Sequence, residues 1–404
     1  MQISVSFSSL GVKGISGGYT GRRMNTAPRL HWTDADHTPQ EALWRSEAAL
    51  APHKRVVLAD DRMPADRAYK LACEGTALLW QGDFQNARHL LQALMRRLDR
   101  QPPRRGKPGQ QPDTPAQAFH QHRQQQGQRA HILGMLLIPF NADHTIPLRR
   151  APDVRQACLE AYGPGTEAYV ASLRELLGLI GAHEWRKKGV EVPALKGRIH
   201  AHYGVFSPLR GEYIDLVAQA PLPPQADLAF DIGTGSGVLA AVLAQRGVAR
   251  VIGTDQSDRA LACARDNLTR LKLLQQVDLQ KVDLFPTGRA PLVVCNPPWV
   301  PARPTSPVEY AVYDPDSAML RGFLAGLKAH LSPDGEGWLI LSDLAEHLGL
   351  RTREQLLQWI SEAGLVVAGR LDARPKHPKA SDPTDPLHRA RAAEVTSLWR
   401  LAAG

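Results

Sequence analysis

Cysteine is scarce in this sequence. Its four cysteines among 404 residues (Cys73, Cys158, Cys263, Cys295) are scattered, with no Cys-x-x-Cys and no nearby His pair. That spacing argues against a disulfide scaffold and against zinc, and suits a reducing, cytoplasmic setting. Long apolar runs are lacking as well. The longest, over residues 132–140, falls far short of the ~20 residues a bilayer span needs, so no membrane partner is expected. Acids are absent from the first 33 residues, a Ser- and Gly-containing stretch with Arg22 and Arg23 but without the apolar centre of a secretory signal. Residues 1–40 read as a disordered tail, with Met24 as an alternative start.

The remainder is ordinary globular material, 43% apolar and 22% charged, with length for two or three domains. The net charge of +9 points toward a polyanionic partner, but its position matters. Residues 101–150 hold seven Lys/Arg against two Asp/Glu, whereas from Trp185 onward 26 basic residues face 23 acidic ones.

Residues 41–184 read as a mainly helical N-terminal domain. Two apolar stripes over 64–99 predict a helical hairpin, with Gly82 ending the first helix and Asp83 capping the second. The run 77–87 resembles one tetratricopeptide unit, yet no second copy exists to stack on it. Residues 101–128, rich in Gln, Pro, Arg and Gly, read as a low-complexity solvated loop or, alternatively, an RNA-touching arm. A buried strand is expected over 131–140 and a helix over 153–182.

From Asp227 the pattern alternates strand and helix, which predicts an α/β, doubly wound parallel sheet in a domain spanning 185–404. Expected strands lie at 228–232, 250–254, 277–285, 291–295 and 337–342, with helices at 238–245, 259–271 and 319–331. A helix near 353–363 and strands at 365–370 and 396–401 complete it. Ligands of such sheets bind beyond the carboxyl ends of the strands, where every candidate residue below falls.

The first candidate is the loop from Asp231 through Gly233, Gly235 and Gly237, between a strand and a helix. Its glycines allow a tight turn and backbone contact with a ligand. Asp255, ending the next strand, can accept both hydroxyls of a ribose. Asp283 ends the third strand and flanks an adenine in this reading, or is a strand-end turn residue. An acid at Asp231 repels a pyrophosphate but suits a sulfonium and an α-amino group. S-adenosylmethionine is therefore preferred over a dinucleotide and its oxidoreductase chemistry.

The second candidate is Asn296, Pro297, Pro298 and Trp299 at the end of the fourth strand. The prolines stiffen the backbone, the Asn296 amide oxygen and Pro297 carbonyl can accept both protons of a planar NH₂, and Trp299 can stack on a flat substrate. Holding both N–H groups aims the nitrogen lone pair, which is catalysis by positioning.

On these motifs residues 199–345 resemble class I S-adenosylmethionine-dependent methyltransferases of the small-domain group. That group includes release-factor glutamine methyltransferases and ribosomal and transfer RNA guanine-N2 and adenine-N6 methyltransferases. The resemblance implies a Rossmann-like seven-stranded sheet. It also implies cofactor contacts at Asp231, Gly233, Gly235, Gly237, Asp255 and Asp283, and amine contacts at Asn296 and Pro297. Phe206, in the run Gly204 to Pro208, is similar to the aromatic covering the methionine end of the cofactor. Two places depart from the pattern. Residues 210–213 (Arg-Gly-Glu-Tyr) replace a Thr-containing run, and Trp299 stands where Tyr or Phe is commoner.

The expected reaction is direct methyl transfer to a planar nitrogen, with no metal and no strong base; His200 and His202 read as packing or surface histidines. A base amine of RNA is the preferred acceptor, because basic residues cluster at 101–129 and again at Arg370, Arg374, Lys376, Lys379, Arg389 and Arg391. A protein glutamine amide is the alternative, and a catalytically silent binding scaffold a third reading.

Overall fold

The computed structural model describes residues 27–100, 114–305, 307–375 and 382–404. The first half is organised around a six-stranded mixed sheet. Its strands are β1 (Arg29–Thr33), β2 (Pro39–Trp44), β3 (Val56–Ala59), β4 (Ala77–Trp80), β5 (Leu136–Phe140) and β6 (Tyr169–Ser172). Their spatial order is β1-β2-β6-β5-β4-β3, with β3, β4 and β5 parallel. Helices α1 (Ala65–Cys73), α2 (Phe84–Arg100), α3 (Pro115–Leu133), α4 (Arg155–Tyr162) and α5 (Leu173–Lys188) connect and cover it.

Helices hold more residues here than strands, but the sheet that organises them differs from the expected helical hairpin. All four residues of β4 are buried, and so short an apolar run carries no period to separate strand from helix. Gly82 therefore lies after a strand, while Asp83 does start α2, its carboxylate accepting Gln85 N–H at 2.8 Å. The one-unit tetratricopeptide resemblance fails with the hairpin. The expected tail is corrected from Arg29 onward, because β1 pairs with β2 and Leu30 is fully buried; residues 1–26 lie outside the described residues. The expected loop 101–128 is corrected from Thr114 onward. Its hydroxyl caps α3 by accepting Gln117 N–H, Pro115 suits the first helical turn, and the Gln and Ala that follow are adequate helix formers. Residues 101–113 lie outside the described residues. The boundary expected at 184/185 falls inside α5, and the strand and helix expected at 131–140 and 153–182 begin as α3 and divide around β6, respectively.

After a small hairpin of β7 (Val190–Val192) and β8 (Gly197–Ile199) comes α6 (Glu212–Gln219), then the alternating half. It runs β9 (Leu228–Ile232), α7 (Val238–Gln245), β10 (Arg250–Asp255), α8 (Asp258–Arg270), β11 (Val277–Lys281) and β12 (Ala290–Cys295). There follow α9 (Ala318–His330), β13 (Leu331–Ser342), α10 (Leu344–His347), α11 (Arg353–Glu362), β14 (Leu365–Ala373), α12 (His388–Ala393) and β15 (Thr396–Ala403). The seven strands stand in the order β11-β10-β9-β12-β13-β15-β14, with β15 antiparallel to both neighbours. This is the expected doubly wound sheet. Apolar clusters cover both faces, one around Leu239, Val242 and Leu243 of α7, the other around Leu320, Phe323 and Leu327 of α9.

The chain crosses from β9 toward β10 on one side and β12 on the other, so the order reverses between β9 and β12. Register places Ile232 beside both Thr254 and Cys295. Three strand ends therefore share one rim at the switch point.

The halves grip each other close to that rim. Arg259, at the start of α8, donates to Glu47 and to the Ala161 carbonyl, each at 2.9 Å, and lies over the Tyr203 ring. On α3, Arg123 donates to the Arg303 carbonyl at 2.8 Å and pairs with Glu309, its guanidinium 3.9 Å from the Tyr313 ring centre. Charge-assisted bonds at partly buried positions contribute about 2 kcal/mol each. Arg259→Ala is accordingly expected to destabilise the folded chain by that order, which lowers the urea midpoint, and to unfold the halves in separable steps. A wild-type midpoint, followed by tryptophan fluorescence, would show that this contact does not join them.

Candidate active site

The rim begins at Asp231, the penultimate residue of β9 and 1% exposed. Its Oδ2 accepts the Thr234 hydroxyl at 2.7 Å and Ala240 N–H at 3.0 Å, so the acid ties the loop to the first turn of α7. Burial pushes its carboxyl up to about 6, against the pull of those two donors, and the Asp255 carboxylate adds to the rise. Thr234 N–H also bonds the Thr254 carbonyl at 2.8 Å, stitching the loop to β10.

Gly233, Gly235 and Gly237 all have positive φ, of 70°, 54° and 78°. The freedom is needed most at Gly237, where an added Cβ would stand 3.1 Å from Ala264 Cα, pressing α7 against α8. At Gly235 a Cβ would meet only the Gly233 carbonyl at 3.8 Å. The loop thus presents bare backbone there.

Asp255 ends β10, half-buried, with burial raising its carboxyl from the ordinary range. Oδ2 accepts Gly235 N–H at 3.1 Å and Oδ1 accepts Ser257 N–H at 2.9 Å. A carboxylate has about four acceptor positions, so each oxygen keeps one for a diol. Asp283 lies beyond β11, exposed, and accepts from the Gln256 side chain.

On the other side of β9, β12 delivers Asn296, Pro297, Pro298 and Trp299 to the same rim. Pro297 is buried, and Asn296, Pro298 and Trp299 are half-buried. Trp299 donates its indole N–H to Asn296 Oδ1 at 2.9 Å. Phe206, half-buried, packs on the apolar cluster beneath α7, to which Trp299 also belongs. Ten of the eleven residues singled out from the sequence thus lie at or beside one rim, Asp283 at its outer margin, while Phe206 is placed only by its packing on that apolar cluster. His200 and His202 are structural. His200 bonds the Arg186 carbonyl, while His202 faces Asp266 at 3.3 Å with burial lowering its pKa.

Several contributors escaped the sequence. Thr234 lies inside the glycine motif and carried a readable signal as a donor. Gln256 follows Asp255 directly. Met319 closes over the loop, since a Cβ on Gly233 would reach its Cε at 2.6 Å. Arg123 and Glu394 act across long sequence separations and left no local signal.

With this geometry, residues 196–353 match the family described as the methyltransferase small domain. This part of the chain is a methyltransferase small domain. A release factor glutamine methyltransferase of Mycobacterium tuberculosis is 38% identical over 133 residues, covering 31% of this chain and 44% of the relative. That of Cereibacter sphaeroides is 34% identical over 170 residues, covering 41% and 57%. A ribosomal protein L11 methyltransferase of Lactobacillus johnsonii is 41% identical over 56 residues, covering 14% and 18%. The chain spans about half the length of the release factor relatives.

The cofactor of such a domain is S-adenosylmethionine, and the residues fit it. A bare backbone loop and an Asp255 with acceptor positions left would suit a ribose, and the dehydrated acid at Asp231 would suit a cationic methionine end. The raised Asp231 carboxyl sets a pH signature. Between its ordinary range and about 6 the folded chain retains a proton that the unfolded chain releases, so this acid's cost to stability grows as pH rises through that window. A cationic ligand offsets the charge. Cofactor affinity is therefore expected to rise between about pH 5 and pH 7, with proton release, and to lose that slope in Asp231→Asn. Titration calorimetry in two buffers measures both, and a flat wild-type profile would refute the linkage.

Proposed function

We propose that the protein is an S-adenosylmethionine-dependent N-methyltransferase acting on a planar NH₂, and that the acceptor is a glutamine side-chain amide of a protein. The observation carrying the reaction type is Asn296 with Pro297 at the end of β12, on the rim shared with Asp231 and Asp255. When bound, the cofactor supplies an electrophilic methyl group on a sulfonium. Asp255 holds the ribose, and Asp231 with the loop backbone holds the cationic methionine end. Phe206 covers that end, and Asp283 flanks the adenine. Asn296 Oδ1 and the Pro297 carbonyl each accept one amide proton, so the nitrogen lone pair is presented outward. The amide proton lost at transfer needs no strong base.

Two observations favour protein over RNA. The relatives with the longer matches are named for a release factor glutamine. Three of the arginines that suggested a phosphate track are also engaged within the protein. Arg370 pairs with Asp372 and stacks on Trp399, Arg391 pairs with Asp385, and Arg129 pairs with Asp99. Lys376 and Lys379 lie outside the described residues.

Asn296→Ala should lower kcat by about a hundredfold or more, the scale of losing a positioned acceptor, with cofactor affinity kept. Tritiated methyl transfer into an extract of a deletion strain identifies the acceptor class. Label removed by protease and resistant to RNase is expected, and the reverse pattern would replace glutamine by an RNA base. No transfer to either would leave a binding scaffold.

A further inference from the structure

The two departures from the resembled sequence pattern touch each other. Arg210, from the run that replaces a Thr-containing segment, lies with its guanidinium carbon 5.1 Å from the centre of the Trp299 ring. It is held there from two sides. Its Nε donates to Glu212 at 2.7 Å, and its terminal nitrogens donate to the two Glu394 oxygens at 3.0 and 3.4 Å. Glu394 is 2% exposed and also accepts the Ser342 hydroxyl at 2.6 Å, which anchors the carboxylate to the end of β13. The planar fork between two carboxylates leaves the guanidinium one orientation, with its face to the indole.

The edge of that indole is as constrained as its face. Trp299 Nε1–H donates to Asn296 Oδ1 at 2.9 Å. An amide oxygen has two lone pairs, so one stays free for a substrate proton. An unrestrained Asn amide rotates by half a turn at little cost and would then present NH₂ to an incoming NH₂, a repulsive pairing. A phenylalanine at 299 has no N–H with which to choose between the two orientations.

We propose that Trp299 is a positioning residue for Asn296. Its indole N–H fixes the amide with the oxygen toward the acceptor nitrogen, and Arg210, clamped by Glu212 and Glu394, fixes the indole. The wiring selects acceptors that bring N–H donors, because the oxygen is locked in place before substrate arrives. Arg210 also covers one face of the ring, so a flat substrate has only the opposite face to stack on. The catalytic meaning of the wiring rests on the reaction proposed above, whereas its existence does not.

The full-length protein labelled with ¹⁵N at the tryptophan indoles separates the two. Trp299→Phe assigns the resonance among the eight tryptophans, and the other indole signals, unmoved, report an intact fold. In Asn296→Ala and in Arg210→Gln the Trp299 indole proton is expected to shift upfield and to exchange with solvent about tenfold faster, the factor for losing one hydrogen bond. Arg210→Lys, which keeps the charge and loses the fork, should shift it in the same direction. In turnover, Trp299→Phe should lower kcat about tenfold with cofactor affinity unchanged. An indole signal that ignores Asn296→Ala overturns the proposal, as does a wild-type kcat in Trp299→Phe. An indole that responds as expected in a protein that methylates nothing would keep the wiring and remove the proposed reaction.

Discussion

A carboxylate held almost without water at the end of the central strand governs the geometry of this molecule. Asp231 spends both of its Oδ2 bonds inside the protein, on Thr234 and Ala240, and so bends the glycine loop back onto the first turn of α7. Burying an acid is costly, and the rise of its carboxyl to about 6 is the visible sign. Two hydrogen bonds lessen that cost without removing it. A buried acid so placed favours a cationic ligand, and the same acid that destabilises the loop gives it an electrostatic preference. The glycines at 233, 235 and 237 follow from this tether, since a loop pulled so tightly must turn through positive φ at each.

Strand register carries the constraint outward. Because Ile232 sits level with both Thr254 and Cys295, the residues that follow each strand emerge side by side, whatever their distance in sequence. This is why the second half was legible. Strand ends β9, β10 and β12 were marked by local chemistry: glycines that need freedom, an acid after an apolar run, a proline-stiffened exit. Each mark lies within a few residues of the element that places it. The first half offered no comparable marks. β4 is four buried residues between helices, and β1 begins inside a stretch whose composition suggested disorder. In such short strands the decision between helix and sheet belongs to the partner strand, which is distant in sequence.

Charge was legible in amount but not in use. The +9 excess suggested an anionic partner, yet many of the arginines counted toward it serve the protein itself. Arg259 enters the first half, Arg123 holds the loop that follows Trp299, and Arg210 lies on Trp299 between two buried carboxylates. Guanidinium suits these places because its plane both stacks and donates in a fork. A count of cations cannot separate an arginine facing solvent from one buried in an internal pair. Only the position of Glu394, 184 residues from Arg210, makes that distinction.

These arginines also explain why the first half matters to the second. Val300 directly follows Trp299 and bridges to Tyr313, the ring on which Arg123 of α3 lies. Phe119 of the same helix packs into the cluster that holds Val300. Tyr313, Val300 and Trp299 thus join α3 to the Asn296 amide through a ring contact, a backbone bridge and one hydrogen bond. The acceptor geometry is set by the catalytic sheet on one side and by the first half on the other.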